Sequence, residues 1–221
     1  MESSWDKLVP RTSYHFDPFK IDPAYDAMRY AGRFTGDWSE ELAQTIKSSE
    51  EITWRNRNPK DGTSKDIKSE EYDLVRSGAD ADLVLTNLEY DLLPVFQRMT
   101  DALSLVSVDK KELQTRVHIQ QPGQVWNLHI DKLEKFNKAD PHSVYRFMIM
   151  LNDWEPGHFI QYGNFVHTGY RAGEIYSFDW YNVPHCTANA GLGPRCTLLV
   201  TGVATDKTLK LFSTYNNQIV V

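Results

Sequence analysis

Two side chains at alternate positions carry the most chemistry in this sequence: His129 and Asp131, in Gln124-Val125-Trp126-Asn127-Leu128-His129-Ile130-Asp131. In a β-strand, residues i and i+2 project from one face, so an imidazole and a carboxylate arrive side by side. Such a pair supplies two of the three ligands of a facial triad of two histidines and one carboxylate, the set that holds Fe(II) with positions left open. His185, in Tyr181-Asn182-Val183-Pro184-His185-Cys186, is assigned as the third ligand. Beyond it, Arg195 and Thr197 form another i, i+2 pair. The arginine presents a planar fork of donors suited to a carboxylate, and the threonine adds a hydroxyl.

A His-x-Asp triplet alone is a weak signal, and His15-Phe16-Asp17 is a second copy. The later copy is preferred on context. It lies in an apolar alternating run and has a histidine and an Arg-x-Thr downstream, whereas Pro18 follows Asp17 in a stretch that reads as loop.

The elements that must position these residues are strands. From Lys110 onward the hydrophobic period is two, and eight strands are predicted at about 112–121, 124–131, 144–152, 158–163, 165–170, 174–179, 183–190 and 195–204. Pro122-Gly123, Asp153-Trp154-Glu155-Pro156-Gly157, Arg171-Ala172-Gly173 and Gly191-Leu192-Gly193-Pro194 punctuate them. The expected fold is mainly β with flanking helices, around a double-stranded β-helix, or cupin-like jelly roll. One domain is expected over 1–221: a helix- and loop-rich part to 110, a jelly-roll core over 111–205 and an extension over 206–221. Alternation places Asn127 on the face of His129, and Arg146 on the face of Met148 and Met150, where it is a candidate for a substrate carboxylate or, equally, a surface arginine on a strand. His118 and Gln120 on the first strand are further pocket candidates, while His142, His158 and His167 read as surface or loop histidines.

The N-terminal part is less informative. Asp22-Pro23 opens a short helix reaching to Tyr30, and 48–72 reads as a polar surface loop, with a lid over the site as the alternative. Leu88, Leu92, Val95 or Phe96, Met99 and Leu103 trace the stripe of an amphipathic helix over 86–103, with Pro94 marking a kink or a start. An edge strand is expected in the tail over 209–215.

With 221 residues and 41% apolar content, the chain can bury one good core. A net charge of −6 leaves no electrostatic footprint for nucleic acid. No apolar run reaches the ~20 residues of a spanning helix and no signal peptide is evident, so a soluble, cytoplasmic protein is expected. Cys186 and Cys196 read as packed free thiols pointing away from the metal face.

Over about 112–205, the chain resembles the aspartyl/asparaginyl β-hydroxylase-like branch of the Fe(II)/2-oxoglutarate-dependent oxygenases, which includes free-proline hydroxylases. The resemblance rests on Pro122-Gly123…His129-Ile130-Asp131, on Tyr145-Arg146-Phe147-Met148 and on Pro184-His185…Asn189…Arg195. Met148 stands where the branch usually has a polar residue, often histidine. The resemblance implies Fe(II) on His129, Asp131 and His185, with 2-oxoglutarate held at its distal carboxylate by Arg195 and Thr197. It implies O2 as oxidant, ascorbate as a supporting reductant, release of succinate and CO2, and hydroxylation of a free amino acid or of an amino-acid residue in a peptide or protein. A non-catalytic metal-binding jelly roll, or an oxygenase of another small molecule or a nucleobase, are the alternatives.

Overall fold

The computed structural model describes residues 28–49, 54–57, 64–67, 83–84, 87–88, 93–108, 113–213 and 217–221. In chain order these form β1 (Met28–Thr35), α1 (Ser39–Ser49), β2 (Trp54–Arg57), β3 (Ser64–Ile67), β4 (Leu83–Val84), β5 (Asn87–Leu88) and α2 (Pro94–Ala102). Eight strands follow: β6 (Gln114–Gln120), β7 (Val125–His129), β8 (Val144–Met150), β9 (His158–Tyr162), β10 (Phe165–His167), β11 (Glu174–Phe178), β12 (His185–Asn189) and β13 (Arg195–Val203). Helix α3 (Asp206–Lys210) and β14 (Gln218–Val220) close the chain. The eight predicted strands are all present, each a little shorter than its apolar run.

The protein is mainly β. A seven-stranded sheet runs β14-β1-β11-β8-β13-β6-β5, a four-stranded sheet runs β10-β9-β12-β7, and β3-β2-β4 form a small third sheet. Within the run of eight, β6 pairs with β13, β7 with β12, β8 with β11 and β9 with β10, all antiparallel.

Alternation on the large sheet divides the core. Phe147, Ile149, Leu198 and Val200 pack on one side with Phe34, Val95, Phe96 and Met99. Met148, Met150 and Leu199 pack on the other with Ile160 and Tyr162 of the four-stranded sheet. Each such side chain contributes about 1.5–3 kcal/mol by leaving water. Both faces being covered, every residue of β13 is buried, which is why that stretch shows little polar alternation.

Several expectations need correction. The helix predicted over 86–103 starts at Pro94, because proline lacks the N–H an interior position needs but suits the first turn. Asn87–Leu88 instead pairs with β6. Met28–Tyr30 belongs to β1 rather than to a helix, paired with β11; the remainder of that proposed helix lies outside the described residues. The stretch 48–72 contains the antiparallel pair β2 and β3, and its other residues beyond Ser49 lie outside the description. Residues 209–213 form helix rather than an edge strand, because Thr205 and Thr208 make a reciprocal cap ahead of them. The edge strand comes later, as β14 parallel to β1.

Candidate metal centre

β7 and β12 pair so that His129 lies opposite His185, and their rings sit 4.4 Å apart, centre to centre. β7 ends at His129, so Asp131 is not part of the strand as the alternation argument supposed. Its backbone N–H donates instead to the Trp180 carbonyl at 3.2 Å, and its carboxylate still turns to the histidines. Asp131 Oδ1 lies 3.6 Å from His129 Nε2, and Oδ2 lies 3.6 Å from His185 Nε2. Among the described residues, these three form the one group of histidine, cysteine and acidic side chains with donor atoms close enough for a metal ion, all within 4.8 Å of one another.

Each ligand has an orienting partner. His185 Nδ1 lies 3.3 Å from the Val183 carbonyl; a hydrogen on Nδ1 leaves Nε2 as a lone-pair donor towards Asp131. Phe178, edge-on at 4.8 Å, and Tyr162, stacked at 5.7 Å, hold the same ring. Arg146 reaches from β8 to donate to Asp131 Oδ2 at 2.8 Å. Burial would raise the Asp131 pKa, but the Arg146 guanidinium, 2.8 Å away, outweighs it and holds the carboxyl well below its usual range. Burial lowers His185 to about 4, so both ligands are in their metal-binding forms at neutral pH.

The triad opens into a cavity of ≈ 70 Å³ whose walls include His118, Gln120, Trp126, Tyr162, Arg195 and Thr197. Arg195 is 3% exposed, and its Nε donates to Gln120 Oε1 at 2.7 Å. Its Nη1 is sealed from water and has no hydrogen-bond partner among the described residues. His118 is partly exposed as a residue, yet its Nε2 is likewise sealed and unpartnered. Burial, reinforced by Arg146, Arg116 and Arg195, keeps that imidazole neutral. Thr197 and His118 are cross-strand partners on β13 and β6. Thus His129, Asp131, His185, Arg195, Thr197, Arg146, His118 and Gln120 all meet at one pocket, with Arg146 engaged to Asp131. The side chain of Asn127 lies outside the description, as do His15 and Asp17.

Alternation misplaced some side chains. β7 carries an extra residue against β12, since His185 pairs with His129 but Thr187 pairs with Trp126. The bulge reverses the parity upstream of His129, so Trp126 shares the face of His129 and lines the cavity. Its indole N–H donates to His129 Nε2 at 3.0 Å, and it stacks on His118 at 5.7 Å. His158 and His167, read as surface or loop residues, are 2% and 6% exposed. His158 lies near Glu155 N, Tyr170 Oη and the Gly193 carbonyl, and His167 packs against Tyr170 and Tyr176. Both cysteines are free. Cys196 points into the apolar core, whereas Cys186 borders the cavity with its thiol towards Gln161.

A larger hollow of ≈ 130 Å³ between Arg29, His142, Tyr145 and Tyr181 shares only Phe178 with the metal pocket. Its one carboxylate, Asp179, accepts from Tyr181 N and from Asn182, and no cluster of ligands forms there.

Buried neutral imidazoles make stability sensitive to acid. Burial lowers His118, His158, His167 and His185, so the unfolded chain takes up protons that the native chain refuses. Stability should therefore fall as pH drops below ~6.5, with the His185 contribution levelling off near its native value of about 4. For His185 alone the loss between pH 7.5 and 5 is on the order of 2 kcal/mol. Urea midpoints with EDTA present at those two pH values measure it; equal midpoints would contradict the burial described.

No protein-family model and no curated protein matches this chain. Among solved structures, the plu4264 protein of Photorhabdus luminescens is similar with a TM-score of 0.31 and 10% identity, over 46% of this chain and 70% of that one. Among the described residues, no helix is long and apolar enough to cross a membrane.

Proposed function

We propose that the chain is an Fe(II)- and 2-oxoglutarate-dependent dioxygenase that hydroxylates a free amino acid or an amino-acid residue of a peptide, on a jelly-roll core. The pairing of first strand with eighth, second with seventh, third with sixth and fourth with fifth supports that core, since rolling up one long antiparallel hairpin produces this order. The observation that carries the activity is Arg195 Nη1, a sealed cationic donor with no partner, in the pocket that the three candidate ligands also line.

The donor set fits the groups it would hold. Two imidazoles and one carboxylate suit Fe(II) and leave positions for a chelating co-substrate. A buried guanidinium with an idle N–H is costly without an anion, and the distal carboxylate of 2-oxoglutarate would satisfy it, with Thr197 beside it. When bound, the metal would supply the oxidising chemistry by activating O2, with the co-substrate and the substrate C–H bond each giving two electrons. The protein's residues orient and exclude: Val183 fixes the His185 ring, Arg146 fixes the Asp131 carboxylate, and Gln120 fixes Arg195. Tyr162, Phe178, Met148 and Leu199 keep the cavity wall largely apolar.

The non-catalytic reading leaves Arg195 without a purpose. Anaerobically purified protein given Fe(II), 2-oxoglutarate, ascorbate and air should release succinate, faster when the right amino acid or peptide is added. Absence of succinate across a broad amino-acid and peptide panel, with metal bound, would favour a binding protein instead.

A further inference from the structure

The indole of Trp126 stands where a metal ion would have to act. Its N–H points at His129 Nε2 from 3.0 Å, and Nε2 is the nitrogen that faces Asp131 Oδ1 at 3.6 Å. An sp² imidazole nitrogen has one in-plane lone pair, so it serves the indole or a metal, not both. The donor also fixes the tautomer: a lone pair on Nε2 puts the hydrogen of the neutral ring on Nδ1, which is the form a metal requires. Trp126 is half-buried, lines the same cavity as Arg195 and stacks on His118 with planes 18° apart. The bulge in β7 is what aims it inward.

Resting on the reading of His129, Asp131 and His185 as a metal site, we propose that Trp126 is a gate for that site. Its indole N–H occupies the Nε2 lone pair of His129 while the metal is away. On metal binding it gives up Nε2 and swings from the triad, leaving its N–H as a donor for whatever enters the pocket next. Metal loading thereby precedes substrate entry, because the indole occupies the space beside the triad until the metal displaces it.

Zn(II), redox-inert and air-stable, is the probe. In protein labelled with ¹⁵N-tryptophan, the Trp126 indole signal is the one missing from Trp126→Phe, or from Trp126→Tyr if the first variant does not fold. In the wild type that signal should move upfield in the proton dimension on adding Zn(II), as a hydrogen-bonded N–H becomes unbonded, with the same midpoint as Zn(II) binding by calorimetry. Trp126→Phe should bind Zn(II) more tightly, by roughly 2- to 12-fold, since one net hydrogen bond no longer has to be broken. A Trp126 signal unmoved at saturating Zn(II), or a variant that binds no more tightly than wild type, overturns the gate while leaving the metal site standing. Wild-type protein that takes up no Zn(II) at all overturns the metal site and the gate together.

Discussion

Asp131→Ala should abolish most metal binding and cost about 3–5 kcal/mol of stability in the same step. The two losses have different origins. The first removes one of three ligands from a set whose donor atoms lie within 4.8 Å of one another. The second arises because Arg146, with its side chain 10% exposed and 2.8 Å from the carboxylate, is left as a charge without its partner in a buried site. The effects separate in the double variant Asp131→Ala/Arg146→Met, which should regain most of the urea midpoint and none of the metal. His15→Ala and Asp17→Ala should retain metal binding. Equilibrium dialysis with Fe(II) under nitrogen gives the stoichiometry. A full equivalent of iron on the Asp131 variant, or its loss from the His15 variant, would remove the triad from its role.

Arg195→Ala should raise the half-saturating 2-oxoglutarate concentration by about 30-fold or more, with Fe(II) stoichiometry close to wild type. Truncating one side of a buried charge pair costs roughly 2–5 kcal/mol, much of it from the unpaired partner charge. Here the partner charge is the distal carboxylate, and the pair would form in a site where Arg195 is 3% exposed. Arg195→Lys should be intermediate, because a point charge replaces the fork but cannot keep both the contact to Gln120 Oε1 and the one to the co-substrate. Succinate release measured against 2-oxoglutarate concentration decides the matter. An unchanged half-saturation in the alanine variant would assign Arg195 to packing alone.

Much of the centre was legible in the sequence because strand alternation is a local rule. The period of two over 112–204 located eight strands, and the spacing of His129, His185, Arg195 and Thr197 named residues that do meet at one cavity. Pro94 likewise marked a break in the apolar stripe over 86–103, and the helix starts there.

Only the tertiary structure decided the rest, and in each case a non-local contact overrode the local rule. Asp131 reaches the histidines from beyond its strand because the Trp180 carbonyl anchors its backbone. Arg146 donates from Nη1 to Asp131, a contact that alternation along β8 does not reveal, because two facing sheets bring β8 against the end of β7. His158 is buried among the loop residues Glu155, Tyr170 and Gly193, and His167 against Tyr170 and Tyr176. The inward turn of Trp126 depends on one extra residue in β7 opposite β12. Periodicity counts residues along one strand; a bulge is a mismatch between two strands, and it exists only once they are paired.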